Sequence, residues 1–181
     1  MKHYVMLCVL ALFAIACEDE DDGRAALENE IASVSIVETA TGNEQLSVLV
    51  QALAKADENA DSDLIGTLRG DGPFTVFAPT NAAFTELLGG LDGFDSLDDF
   101  DTDEERALLA QILQYHVVAG AAAASTDLSE GQSIATVQGE NVSVSLEGGV
   151  FIGDATQTAA EVVIPDVDAS NGIVHVIDKV L

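Results

Sequence analysis

Hydrophobic positions follow helical spacing through the first part of the chain and alternate with polar ones further on. Ile31 to Ala40 reads as a short helical lead-in with Val34 and Val37 on one side. Glu44 to Ala56 is a better helix: Leu46, Leu49, Val50 and Leu53 fall at i, i+3, i+4 and i+7, a single apolar stripe. Asp57 to Asp63 is a polar break, and Leu64, Ile65 and Leu68 sit on a further short helix. Phe74 to Phe77 is an apolar, β-favouring run wide enough for one buried strand, opened by Gly72-Pro73 and closed by Pro79. Thr80 then caps a helix whose apolar side is Phe84, Leu87 and Leu88, until Gly89-Gly90 stops it. Gly89 to Asp101 reads as a loop anchored by Leu91, Phe94, Leu97 and Phe100. Thr102-Asp103-Glu104-Glu105 is a capping box for a helix expected to bury Leu108, Leu109, Ile112 and Leu113 and to end at Tyr115-His116.

Beyond an alanine-rich stretch, Gly120 to Gly131, the period becomes two. Val142, Val144 and Leu146 alternate with Ser143 and Ser145, a half-buried strand. Glu147-Gly148-Gly149 turns the chain so that Val150 to Ile152 pairs back as a hairpin. Glu161 to Ile164 reads as a strand stopped by Pro165, and Asn171-Gly172 as a turn before a last strand, Ile173 to Ile177, apolar enough to be buried on both faces. Helices first and strands after predict an α+β domain, with no internal repeat and no second domain.

The first thirty residues follow another pattern. Lys2 precedes Val5 to Ala16, an apolar run too short for a membrane span and suited to a signal peptide. It ends in Ala14-Ile15-Ala16-Cys17, which resembles a bacterial lipobox, although Ala14 stands where Leu is usual. Residues 1–16 are therefore expected to be a lipoprotein signal peptide with Cys17 acylated; ordinary cleavage with Cys17 a bystander is the alternative. Residues 17–30, opening Glu18-Asp19-Glu20-Asp21-Asp22, read as an acidic flexible tether, and residues 31–181 as the domain. Cys8 leaves with the signal, so the mature domain has no disulfide and no thiol nucleophile.

Charge excludes one class of partner. Without Lys2 the chain has 5 Lys/Arg against 32 Asp/Glu, a formal −27. Such a surface repels nucleic acid and anionic headgroups, whose binding depends on cationic side chains. Membrane association is expected through the lipid anchor alone. No calcium site is expected: Asp57-x-Asn59-x-Asp61 opens like an EF-hand loop, but Ser62 replaces its glycine and Leu68 its bidentate glutamate. Neither a metal nor a cofactor is expected. There is no Gly-x-Ser-x-Gly elbow, His-Glu-x-x-His helix or phosphate loop, so a hydrolase is the weakest reading. His175, flanked by Ile173 and Ile177, reads as a core histidine satisfied by one hydrogen bond. His116, at a helix C-terminus, can donate to unpaired carbonyls, and its cation is favoured there.

Three pieces in this order resemble the fasciclin domain: the box Phe74, Thr75, Phe77, Pro79, Thr80 and Phe84; the pair Tyr115-His116; and the closing box Asn171, Gly172, His175 and Asp178. The resemblance covers roughly Ile31 to Leu181. It implies a fasciclin-like fold, a small β-sandwich or wedge flanked by several short helices, and a non-enzymatic monomeric module for adhesion or for matrix, glycan or protein contact. It also implies contact residues: the Tyr115-His116 pair, and Asp166 and Val167, which resemble a Pro-Asp-Ile type segment that animal fasciclin domains present to receptors. A small-ligand carrier using the crevice between helices and sheet, or an envelope-binding periplasmic lipoprotein, is the alternative, and the protein is expected at the cell envelope, lipid-anchored in the outer membrane and facing periplasm or cell surface.

Overall fold

The structure, a computed structural model, describes residues 34–154 and 158–181. The expected signal peptide, Cys17 and the acidic tether lie outside the described residues, as do 31–33 of the domain.

Five α-helices and seven strands make up the described chain: α1 (Ile36–Thr41), α2 (Ser47–Ala56), α3 (Leu64–Arg69), β1 (Phe74–Pro79), α4 (Asn81–Gly90), α5 (Asp103–Tyr115), β2 (Val117–Ala119), β3 (Ser133–Ala135), β4 (Asn141–Ser145), β5 (Phe151–Gly153), β6 (Ala160–Ala169) and β7 (Gly172–Ile177), with three short 3-10 turns between them. The strands run in the order β2-β1-β7-β6-β5-β4-β3. β1 and β7, the two box strands, lie side by side and parallel, Phe74 opposite Gly172 and Pro79 opposite Ile177; every other pairing is antiparallel.

The pleat of β1 and β7 divides the core in two. Phe74, Val76 and Ala78 of β1, with Val174 and Val176 of β7, face the helices and pack on Ile36, Leu49, Leu53, Phe84, Leu109 and Leu113. Phe77 and Ile177 point the other way, against Val118, Val142, Val144, Ile152 and Ala160 of the far half of the sheet. Both faces are covered, which is why these strands read as unbroken apolar runs.

Local chemistry sets the helix ends. Ser35-Glu38 and Thr102-Glu105 each form a complete capping box, and Thr80 Oγ accepts from the Ala83 N–H. The carboxylate of Asp57 accepts from the N–H of Leu64 (2.8 Å) and of Ile65 (2.8 Å), so the acidic break before α3 serves as a helix cap. Its companion Asn59 donates to the Asp103 carbonyl (2.9 Å), tying that break to the start of α5.

Four expectations are corrected. Glu44–Ala56 is not one helix: its first turn, Glu44–Leu46, is 3-10. Pro165 does not stop a strand. β6 continues to Ala169 through two register shifts, between Val162 and Ile164 and between Ile164 and Val167. The proline falls where the ladder skips, so its missing N–H costs no sheet hydrogen bond. Leu108 is 50% exposed and Leu146 37%, because α5 buries Leu109, Ala110 and Leu113 instead and β4 ends at Ser145. Finally, Ser170-Asn171 is the β6–β7 turn, and Gly172 opens β7 with a nearly extended φ of 158°. Glycine is required there by proximity: a Cβ on Gly172 would stand 2.1 Å from the Phe74 carbonyl oxygen, and one on Gly72 would stand 1.9 Å from that of Asn171.

Candidate binding groove

Most box residues hold the fold. Thr75 Oγ donates to Ala121 O (2.9 Å) and accepts from Ala123 N–H (2.9 Å), pinning the alanine-rich segment to β1. Asn171 is a three-way hub: its amide donates to Leu68 O (2.7 Å) and Gly70 O (2.9 Å), while its oxygen accepts from Ile36 N–H (3.0 Å). Asp178 accepts from Glu161 N–H (2.7 Å) and closes the end of β6 on β7. His175, fully buried, stacks on Phe77 with ring centroids 5.8 Å apart. It makes two hydrogen bonds, not one. Nδ1 accepts from Asp166 N–H (3.2 Å), so Nε2 carries the proton and donates to Ala123 O (2.9 Å).

The four expected contact residues part company. His116 is 2% exposed and cannot touch a partner directly. It caps the end of α5: Nδ1–H donates to Ile112 O (2.7 Å), and Nε2 accepts from Leu181 N–H (2.9 Å). Burial pushes its pKa down to about 4, outweighing the favourable carbonyl of Ile112 and the charge of Asp154, so the ring is neutral. The cation favoured at an exposed helix end is lost to desolvation here. Asp166, exposed and in the left-handed region at φ 56°, directs its carboxylate to the hydroxyl and the backbone N–H (2.7 Å) of Ser125, which hold it below the usual carboxylate range. Val167 pairs with Val174 in the sheet and packs against the helical core.

Tyr115 lines a groove between α5 and the far strands, whereas Val167 lines a separate depression with Val34, Glu38 and Asn43. The Tyr115 hydroxyl donates to Asn141 O (3.0 Å), bridging α5 to β4, and its groove, of about 440 Å³, lies between α5 and the β3–β5 strands. Leu108, Gln111 and Ile112 complete the helical wall; Asn141, Val142 and Ser143 form the opposite one, with Glu140, Asp154 and Leu181 at the margins. Leu108, Ile112 and Tyr115 stand at i, i+4 and i+7, a second stripe beside the Leu109-Leu113 stripe that packs the core. That offset spacing is the signal that could have found the groove from sequence. Burial raises the pKa of the Tyr115 hydroxyl, and the charges of Asp154 and Glu140 raise it further. Among the described residues no three His, Cys, Asp or Glu side chains converge as a metal site.

The fasciclin domain family model matches residues 44–181. The chain is 38% identical over 168 residues to Protein sll1483 of Synechocystis sp., covering 91% of this chain and 83% of that one. It is 37% identical over 154 residues to the cell surface glycolipoprotein MPB83 of Mycobacterium bovis, covering 83% of this chain and 61% of that one. Among solved structures, the FAS1 domain pair of the insect cell adhesion molecule fasciclin I superposes with a TM-score of 0.66 at 20% identity, over 82% of this chain and half of that chain.

Proposed function

The chain belongs to the fasciclin domain family, whose proteins are linked to cell adhesion and surface interaction, and from that premise we propose that it is a non-catalytic binding module displayed outside the cytoplasm. In this reading residues 1–16 are a signal peptide, Cys17 carries the lipid, residues 17–30 are the tether and residues 31–181 contact a protein or glycan on a neighbouring surface or matrix. The observation that carries it is the uncovered face of α5, where Leu108 is half exposed beside the groove-lining Tyr115 in a strongly acidic chain. One relative, a cell surface glycolipoprotein, supports a lipid-anchored placement at the cell envelope.

The test is protease shaving of intact cells that carry the tagged full chain, beside a Cys17→Ala variant, followed by pull-downs from the same cells. The wild type should be cleaved from outside, the variant released, and a surface component captured. Protection until the outer membrane is breached would remove the adhesin reading. A second reading, a small-ligand carrier, is favoured by the groove itself, whose size falls within the ~300–1,000 Å³ of small-molecule sites.

A further inference from the structure

The groove between α5 and β3–β5 is one-sided in charge. Glu140 and Asp154 stand at its margin, and none of the described Lys or Arg side chains lines it. Lys55 and Arg106 both reach Glu58, Arg106 also pairs with Asp103, Lys179 bonds Thr158, and Arg69 lies by Gly70 and Asp71 in another depression. The two carboxylates act on one place, since the charge of each raises the pKa of the Tyr115 hydroxyl. Its apolar lining is Leu108 and Ile112 on the helical wall, the fully buried Val142 on the opposite one, and Leu181 at the margin. The phenol of Tyr115, fixed through its bond to Asn141 O, makes a rigid aromatic wall whose electron-rich face attracts cations. Apolar lining, fixed aromatic ring and two carboxylates complement an apolar body ending in a positively charged nitrogen. The chain's own Glu18–Asp22 stretch carries the wrong charge to fill the site.

We propose that this groove binds a small amphiphilic organic cation, its apolar body on Leu108 and Ile112 and its amine or quaternary ammonium near Tyr115, Glu140 and Asp154. The proposal rests on the carrier reading and narrows it to one chemical class.

The experiment titrates octyltrimethylammonium, octyl sulfate and octanol into the full chain and follows the methyl resonances of Ile112, Val142 and Leu181. The ammonium should shift these methyls and bind at least about tenfold more tightly than the sulfate. Glu140→Gln with Asp154→Asn should weaken ammonium binding roughly tenfold, about threefold for each carboxylate. Glu86→Gln with Asp92→Asn removes the same net charge away from the groove and should change affinity by less than about twofold. Glu140→Lys, which leaves Asp154 in place, keeps the test valid if the double variant unfolds: ammonium affinity should fall and sulfate affinity rise. If ammonium and sulfate bind alike, the groove remains a carrier site and the cation proposal alone is overturned. If no probe moves these methyls, the carrier reading is overturned with it. Preference for an acetylated Leu-Lys-Leu peptide over octyltrimethylammonium would overturn the small-ligand assignment and give the groove to a basic protein segment.

Discussion

His116→Gln isolates the energetic consequence of burying a neutral histidine at the end of α5. The glutamine keeps an acceptor in reach of Leu181 N–H but loses the donor to Ile112 O and part of the ring's volume. At pH 7 the variant should be less stable by about 2 kcal/mol, one hydrogen bond to a buried acceptor plus some packing. The pH dependence is the sharper test. The pKa of His116 falls from 6.5 to about 4 on folding. Above pH 6.5 neither the folded nor the unfolded chain protonates this ring, so it adds no pH-dependent term. Between 6.5 and 4 only the unfolded chain takes up the proton, and the wild type loses stability as pH falls. The loss amounts to about 3 kcal/mol by pH 4, at 1.36 kcal/mol per unit. The carboxylates held low by hydrogen bonds from Ser35, Ser96, Thr102 and Ser125, and the repulsion of a strongly negative surface, are common to both proteins and cancel in the difference. Urea unfolding of both proteins at several values from pH 7 to 4 should therefore show the wild type ahead at neutrality and behind at the acid end, crossing near pH 5. A gap that stays constant within about 0.5 kcal/mol over that range would refute a buried neutral His116.

Two stability predictions concern the box residues. Gly172→Ala should cost about 3 kcal/mol and lower Tm by roughly 10 °C, because its Cβ would lie 2.1 Å from Phe74 O, whereas Gly89→Ala, with open space around it, should change Tm by less than about 3 °C; calorimetry that finds the two equal would disprove the close approach. Asn171→Ala should cost about 2–4 kcal/mol in urea unfolding by orphaning Leu68 O, Gly70 O and Ile36 N–H, and Asn171→Asp should be no better, since a carboxylate would face two carbonyls; full rescue by aspartate would disprove the hub.

How much of this could be read in advance depends on the range of the interaction. Thr102 and Glu105 form their capping box, and Phe74 to Phe77 and Ile173 to Ile177 form buried strands, because a cap needs only residues three apart and a strand covered on both faces needs only an apolar run. Asn171 was legible as a turn but not as the residue joining α1, α3 and β7, since its partners are about a hundred positions away. In sequence Asp57 reads only as the start of an incomplete calcium loop, although its carboxylate, seven and eight residues short of its partners, caps a helix.

The candidate site divides in the same way. Tyr115 and His116 are adjacent in sequence, yet one lines an open groove and the other is buried neutral, because consecutive helical residues point about 100° apart and the strands that cover α5 lie on one side only. The sequence by itself determined the α+β order of elements, the two box strands, the helix caps and the strongly negative surface, all set by local pattern or by counting. It took the packed chain to settle which of the two apolar stripes on α5 stays uncovered, that Pro165 sits in a bulge, that Asp166 is held by Ser125, and that His116 gives up its charge. Each of these depends on which distant backbone or carboxylate arrives beside the residue, and that is a property of chain packing that no window of neighbouring positions contains.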